Sequence, residues 1–322
     1  MATKVIIDTD TGIDDAMGCV LALQSPELEI LGFTSVFGNV SVDLTTANTA
    51  ILLEQLGRCE IPLARGAACN LLGMPVSFNP EVHGADGVGN AGLGHPTRVF
   101  PSPESAAEFI IASARKQPGL ITFIALGPLT NLALALALDP GLPSFLTKVV
   151  WMGGAIDKPG NVSPVAEADA LHDPEAAQVV LQAPWAVRMV PLDVTDNTLF
   201  HRHHLERVQR AGTPAARYVA RIMPFYMDFY STLLGEYACA SHSPLTVATV
   251  ALPQIVTAGT RLPINVETRG EWTRGMTVAD RRAGRTSGGR RQWMAASVIE
   301  VVTAVDRDLF RETFLARLER ET

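Results

Sequence analysis

Near its start the chain reads VIIDTDTGIDDA, from Val5 to Ala16. Three apolar residues, Val5-Ile6-Ile7, run into Asp8, Asp10, Asp14 and Asp15 around Gly12, and a helical pattern follows. Such a run reads as a buried parallel strand turning into a helix. Four carboxylates on one turn repel one another unless a positive or strongly hydrogen-bonding group sits among them. Their oxygens are ligands for hard divalent cations. One acid would fit a helix cap or a solvated turn. Four around a glycine at a strand end point to a metal or polyol site.

The remaining pattern supplies that loop with a scaffold. Apolar strands are predicted at residues 30–36, 61–64, 120–126, 148–152 and 186–192, separated by helical stretches that include 42–56 and one opened by Asp173-Pro174. Ser102 is the expected cap of a further helix, with Pro103 at its first position. Past Thr195 the pattern is mainly helical, with an antiparallel excursion within 263–278 and an amphipathic helix over 306–318. Alternation of this kind predicts an α/β fold: an open, mostly parallel, Rossmann-like sheet with helices on both faces. No repeat, low-complexity linker or composition break divides it, so a single domain over 1–322 is expected.

Ligands bind beyond the carboxyl ends of strands in open parallel sheets. Asp8/Asp10, Gly38-Asn39, Gly127-Pro128, Gly153-Gly154 and Asp193 all lie at such ends. The long stretch 65–101, rich in Gly, Pro and Asn, reads as a lid or binding loop. The loop carrying Asn161, Glu167 and Asp169 completes the candidate pocket.

Composition removes other function classes. A hydrophobic content of 47% with 18% charged residues is that of a globular chain with a large core. A net charge of −7 speaks against nucleic acid, which needs a basic stripe. The basic cluster from Arg281 to Arg291, interrupted by Gly and Ser, reads as an exposed loop. Cys19, Cys59, Cys69 and Cys239 lack zinc or redox spacing and are expected to be buried or free thiols. No membrane span is expected, and the N-terminal MATK leaves no room for a leader, so a cytoplasmic setting is expected.

Taken singly, several candidates also fit plainer roles. His83 suits a surface loop as well as a ligand contact. Ser243-Pro244 reads as a helix cap and first residue, which would make His242 a bystander. Tyr226, Phe229 and Tyr230 fit a core stripe, and Glu167 and Asp169 alone would be loop acids.

The motifs taken together carry more. DTDTGIDDA, FGN, HGADGVGN, LGPLTN, WMGGA, GNVSPVAEAD followed by HDPEAA, and the late RGMTVAD resemble the nucleoside hydrolase family of the inosine-uridine preferring type. They are collinear over nearly the whole chain, and their order makes the resemblance specific. It implies cleavage of ribonucleosides, purine or pyrimidine, to ribose and free base. A Ca²⁺ is implied at the pocket floor, bound by Asp10, Asp15 and the backbone carbonyl at Leu126, with the ribose diol completing the shell. Asp10 would also deprotonate a water whose pKa the cation lowers. Asp14, Asn161, Glu167 and Asp169 match ribose-hydroxyl contacts, with Asn39 and Met152 close by and His83 in the closing loop. His242 matches the histidine that protonates the leaving base. Tyr226, Phe229 and Tyr230 are candidates to hold that base. A homodimer or homotetramer is the assembly the resemblance implies.

Two positions depart from the pattern. Ser243 stands where the family has an aspartate metal ligand, and Asp169 where it has asparagine. One change removes a negative charge from the metal shell and the other adds one to the ribose pocket, so Asp169 is expected to offset Ser243 in part. Two rival readings follow. The first is a nucleoside- or ribose-binding homologue with an impaired metal site. The second is a haloacid-dehalogenase-like phosphatase with Asp8 as nucleophile and Asp10 as acid. The pair Asp14-Asp15 and the later motifs have no place in the phosphatase.

Overall fold

Strand β1 (Thr3–Thr9) leads into helix α1 (Ile13–Leu23), and β2 (Leu28–Ser35) into α2 (Val42–Gln55), in a computed structural model that describes residues 2–74, 76–282 and 297–320. Then come β3 (Leu63–Arg65), α3 (Pro80–His83), α4 (Ala106–Lys116), β4 (Ile121–Ala125), α5 (Thr130–Leu138) and β5 (Leu146–Met152). Helices α6 (Ala168–His172) and α7 (Pro174–Gln182) precede β6 (Val187–Val190) and α8 (Leu192–Thr195). Strand β7 (Leu199–His201), α9 (Arg202–Ala211), α10 (Pro214–Leu234), β8 (Ala238–Ala240) and α11 (Ser243–Ala251) form the helical part. The chain closes with β9 (Val256–Val266), β10 (Thr277–Ala279), β11 (Val298–Val305) and α12 (Arg307–Leu318). Residues 283–291 of the basic cluster lie outside the described residues.

Among the described residues nine strands form one sheet in the order β10-β9-β11-β6-β5-β4-β1-β2-β3. Every neighbour from β11 to β3 is parallel, while β9 and β10 run antiparallel at one edge. Side chains of β1 alternate between the faces, as a pleated strand requires. Val5 and Ile7 join the core beneath α1, α10, α11 and α12, whereas Ile6 joins the core beneath α4, α5 and α7. Both faces are covered, which is why β1 reads as continuous apolar residues. The expected α/β class, with its helical second part and antiparallel excursion, is the one observed.

Three details differ from the sequence reading. Helix α4 is capped by Ser105, not Ser102: Ser105 and Glu108 satisfy each other's backbone N–H. Ser102 instead donates its N–H to the Leu63 carbonyl, as an extension beside β3. The predicted strand at 186–192 stops at Val190, and Asp193 lies in α8. There its carboxylate accepts from the N–H groups of Ile156 and Asp157, clamping a loop rather than facing the site. Helix α11 begins at Ser243 with His242 as its cap residue, one position earlier than expected. The free-thiol reading holds: Cys19 and Cys239 are buried, Cys59 and Cys69 exposed, and all four are unbridged. Among the described residues no helix is long and apolar enough to cross a membrane.

Candidate active site

The carboxyl ends of β1, β2, β4 and β5 open onto one cavity of about 770 Å³, a size suited to a small-molecule ligand. Asp14, Asp15, Asn39, His83, Leu126, Met152, Asn161, Glu167, Asp169, Tyr226, Tyr230, His242 and Ser243 all line it. Asp10 lies at its floor beneath them, 1% exposed. The sequence candidates therefore meet in one place, although they come from eight separate stretches of chain.

The floor is built by close packing. Asp10 Oδ2 accepts the Asn39 N–H at 2.8 Å, while Asp10 Oδ1 is buried without a partner. The backbone crowds this carboxylate from both sides. A Cβ on Gly38 would lie 2.0 Å from Asp10 Oδ2, and one on Gly127 would lie 2.7 Å from Oδ1. Burial pushes the Asp10 carboxyl well above the carboxylate range, and the Asp15 charge adds to the shift. Asp15, in the first turn of α1, is the better solvated by protein. Its Oδ2 accepts from the Gly12 N–H at 2.9 Å and from Asn39 Nδ2 at 2.7 Å, and its Oδ1 from the Ser243 hydroxyl at 2.7 Å. It too is raised, by burial first and then by Asp14. The Ser243 N–H donates to Asp14 Oδ2 at 3.3 Å.

Asp8 is one residue too deep in the strand to join them. Its Oδ1 accepts from the Thr34 hydroxyl at 2.5 Å and from Asn131 Nδ2 at 2.7 Å, tying β1 to β2 and α5. Burial raises its carboxyl to about 7 against those two bonds. A fully buried, braced carboxylate has no approach for an electrophile, which removes the phosphatase reading.

The loop from α6 supplies a second acidic wall. Glu167 caps α6: Oε1 accepts from the Asp169 N–H, and Oε2 from those of Ala170 and Gly154. Asn161 Oδ1 accepts the Ala168 N–H at 3.0 Å and braces the loop. Asp169 is 6% exposed, and among the described residues nothing hydrogen-bonds its carboxylate. Its pKa stands well above the usual range because of burial and then the neighbouring Glu167.

At the other end of the cavity the groups are rings. His83 is no free surface residue: its Nδ1 accepts the Ile13 N–H at 3.0 Å, and the ring stacks on Tyr226 with centroids 5.6 Å apart. Burial lowers its pKa to about 4, so it is neutral with its proton on Nε2. Gly12 is needed here, since a Cβ would lie 2.5 Å from His83 Nδ1. His242 sits between two hydroxyls, Nε2 to Tyr230 at 2.7 Å and Nδ1 to Thr195 Oγ1 at 2.8 Å. Tyr226 and Tyr230 meet edge to face, 4.8 Å between centroids, with Phe229 beside them.

Sequence reasoning gave no role to two groups now in place. Thr195 fixes the outer nitrogen of His242. His172 places a ligand atom within 4.8 Å of one each from Asp10 and Asp169. Its spacing was the available signal, because residues three apart on a helical turn share a face.

Comparison with known proteins bears on the whole chain. The sequence model described as "Inosine-uridine preferring nucleoside hydrolase" matches residues 5–312. The protein called uridine nucleosidase 1 of Arabidopsis thaliana is 37% identical over 315 residues, 98% of this chain and 93% of that one. The solved structure described as a plant nucleoside hydrolase, PpNRh1, superposes with a TM-score of 0.95 at 32% identity, covering 100% of both chains. That of a purine-preferring ribonucleoside hydrolase from Gardnerella vaginalis gives 0.88 at 31% identity, covering 98% of each.

Proposed function

The chain belongs to the inosine-uridine preferring nucleoside hydrolases, and we propose that it cleaves the N-glycosidic bond with Asp10 as general base and the His242–Tyr230 pair as proton source for the leaving base. That it hydrolyses ribonucleosides follows from the family and its relatives. The observation that carries the assignment of roles is the polarity of the cavity. Carboxylates and Asn39 form one end, and an imidazole, phenols and apolar rings form the other.

The family is metal-dependent. The donor set suits a divalent cation: Asp10, Asp14, Asp15 and Asp169 are all buried, and none of them is in an ion pair among the described residues. Lys158, which lines the cavity wall, is paired with Asp196 at 2.9 Å. Asp10, Asp15 and the Leu126 carbonyl would hold it, and an all-oxygen set of this kind suits Ca²⁺. When bound, such an ion lowers the pKa of water and anchors vicinal hydroxyls.

The chain's own groups do the rest. Asp10 Oδ1, buried and unpartnered, takes the proton of the attacking water. Asp14, Asn161, Glu167 and Asp169 surround the ribose hydroxyls, with Asn39 and Met152 closing the floor. Positive charge developing on the sugar ring is offset by the carboxylates around it. The departing base lies against Tyr226, Phe229 and Tyr230, where the low polarity favours its neutral form. His242 supplies the proton through the Tyr230 hydroxyl, and Thr195 keeps its ring oriented. His83, neutral, contributes an N–H from the closing loop.

The test is ribose release, read as reducing sugar, from inosine and uridine with added Ca²⁺, with p-nitrophenyl phosphate as control. Asp10→Ala is expected to lose about 10³-fold in kcat. Nucleoside binding without ribose release in the parent protein would support the binding-protein reading, which the Ser243–Asp15 contact favours. A single domain, a cytoplasmic setting and a homodimeric or homotetrameric assembly belong to the same proposal. Light scattering of the purified protein tests the last.

A further inference from the structure

Three side chains carry ligand atoms without partners: Asp169 lines the cavity, Asp10 and His172 lie close beside it, and together they are not the set the family pattern selects. Asp10 Oδ1 is buried with no hydrogen bond, on a residue 1% exposed. His172 Nδ1 is likewise buried and unpartnered. Asp169, 6% exposed, has a carboxylate that nothing hydrogen-bonds among the described residues. One ligand atom from each of these residues lies within 4.8 Å of the others. Asp15, by contrast, already accepts from Gly12, Asn39 and Ser243. A cation placed against Asp15 must compete with three donors, whereas Asp10 Oδ1 and His172 Nδ1 carry none.

We propose that Asp10, Asp169 and His172 form a second cation seat, sharing Asp10 with the Ca²⁺ position, that binds a borderline divalent ion of the Zn²⁺ and Co²⁺ class and excludes Ca²⁺ while occupied. The ligand chemistry sets the class. Ca²⁺ takes six to eight oxygens, whereas an imidazole nitrogen with two carboxylates suits first-row transition ions. The fold prepares the seat. Asp169 and His172 sit three residues apart on α6, whose first turn Glu167 caps. The His172 ring packs edge-on against Phe37, with centroids 6.4 Å apart, beside the Gly38-Asn39 turn that holds Asp10. Ser243 fits the same account: with the aspartate of the family pattern gone, the oxygen-only position is weakened and the nitrogen-containing one is left intact.

This inference rests on the reading of a cation-assisted hydrolase, but its test does not depend on turnover. Full-length protein stripped with EDTA is titrated by calorimetry with Co²⁺, Zn²⁺ and Ca²⁺. The titrations use a His203→Ala background, because the half-buried ring of His201 and the exposed ring of His203 stack 5.9 Å apart and could themselves capture Co²⁺. One equivalent of Co²⁺ is expected to bind and to suppress the Ca²⁺ isotherm. His172→Ala and Asp169→Asn are each expected to weaken Co²⁺ at least tenfold, with His172→Ala changing Ca²⁺ less than twofold. If either variant fails to fold, electron-spin-echo spectra of the unaltered seat loaded with Co²⁺ decide the matter, since imidazole coordination gives nitrogen coupling. Absence of that coupling, or equal losses for Co²⁺ and Ca²⁺ in His172→Ala, would overturn the seat. Ribose release is scored separately. Calcium-dependent release without a nitrogen-coupled ion leaves the hydrolase reading and removes the seat, and the converse result leaves the seat alone.

Discussion

Restoring an acid at position 243 tests how far the carboxylate cluster depends on a cation. Ser243 is 1% exposed, its hydroxyl donates to Asp15 Oδ1 at 2.7 Å, and its N–H reaches Asp14 Oδ2 at 3.3 Å. Ser243→Asp therefore replaces a donor with a carboxylate that faces two others. At about 4 Å and an effective dielectric near 20, one such repulsion is worth about 4 kcal/mol. Holding the new carboxyl protonated at pH 7 costs about the same, given an ordinary pKa near 3.9. Either route destabilises the metal-free protein by roughly 4 kcal/mol, or about 8 °C at roughly 2 °C per kcal/mol for a large domain. Saturation at about 100 times Kd returns about 2.7 kcal/mol, so Ca²⁺ should recover most of the loss. Thermal melts in EDTA and across a Ca²⁺ titration read both effects, with ribose release measured on the same samples. The variant is expected to melt lower in EDTA, to gain more from Ca²⁺ than the parent does, and to release ribose faster when loaded. A variant with the parent's melting temperature in EDTA, or one that Ca²⁺ stabilises no more than the parent, would refute this electrostatic account.

Other perturbations probe the walls. Gly38→Ala places a Cβ 2.0 Å from Asp10 Oδ2, so the carboxylate must move; kcat is expected to fall at least about 10²-fold with the fold retained by circular dichroism. His83 carries a folded-state pKa of about 4 against an ordinary 6.5, so the folded state binds fewer protons than the unfolded chain between those values. Its contribution is therefore complete above pH 6.5 and is lost as pH falls towards 4, amounting to about 2 kcal/mol at pH 5. His83→Gln should lose less stability than the parent between pH 7 and pH 5, and identical pH profiles would count against a neutral, buried His83.

Much of this site could be read from the chain because its residues serve two levels at once. The run Val5 to Asp8 is strand by its apolar character and site by where the apolar residues stop, so one pattern predicted both. Gly38 and Gly127 were placed at strand ends as neighbours of a ligand, and the group packed against both is Asp10. Other features had no local signal. Strand β11 follows the basic segment and inserts between β6 and β9, a placement set by sheet topology rather than by its own sequence. The start of α4 was misread because Ser102-Pro103 resembles a cap, whereas the reciprocal Ser105–Glu108 bonds satisfy two donors and prevail. His242 is legible as a bystander from its neighbours alone; only the tertiary contacts with Tyr230 and Thr195 place it in the wall.

Asn39 joins the two halves of the acidic loop, with its backbone N–H on Asp10 and its side-chain amide on Asp15. A flexible chelator must gather its arms each time it captures an ion, and it gives up conformational entropy in doing so. Here one residue on the neighbouring turn holds the bite of the chelate at a fixed width in the folded chain. Capture then requires little further ordering, and the selectivity of the floor resides in a spacing that the ion meets ready-made.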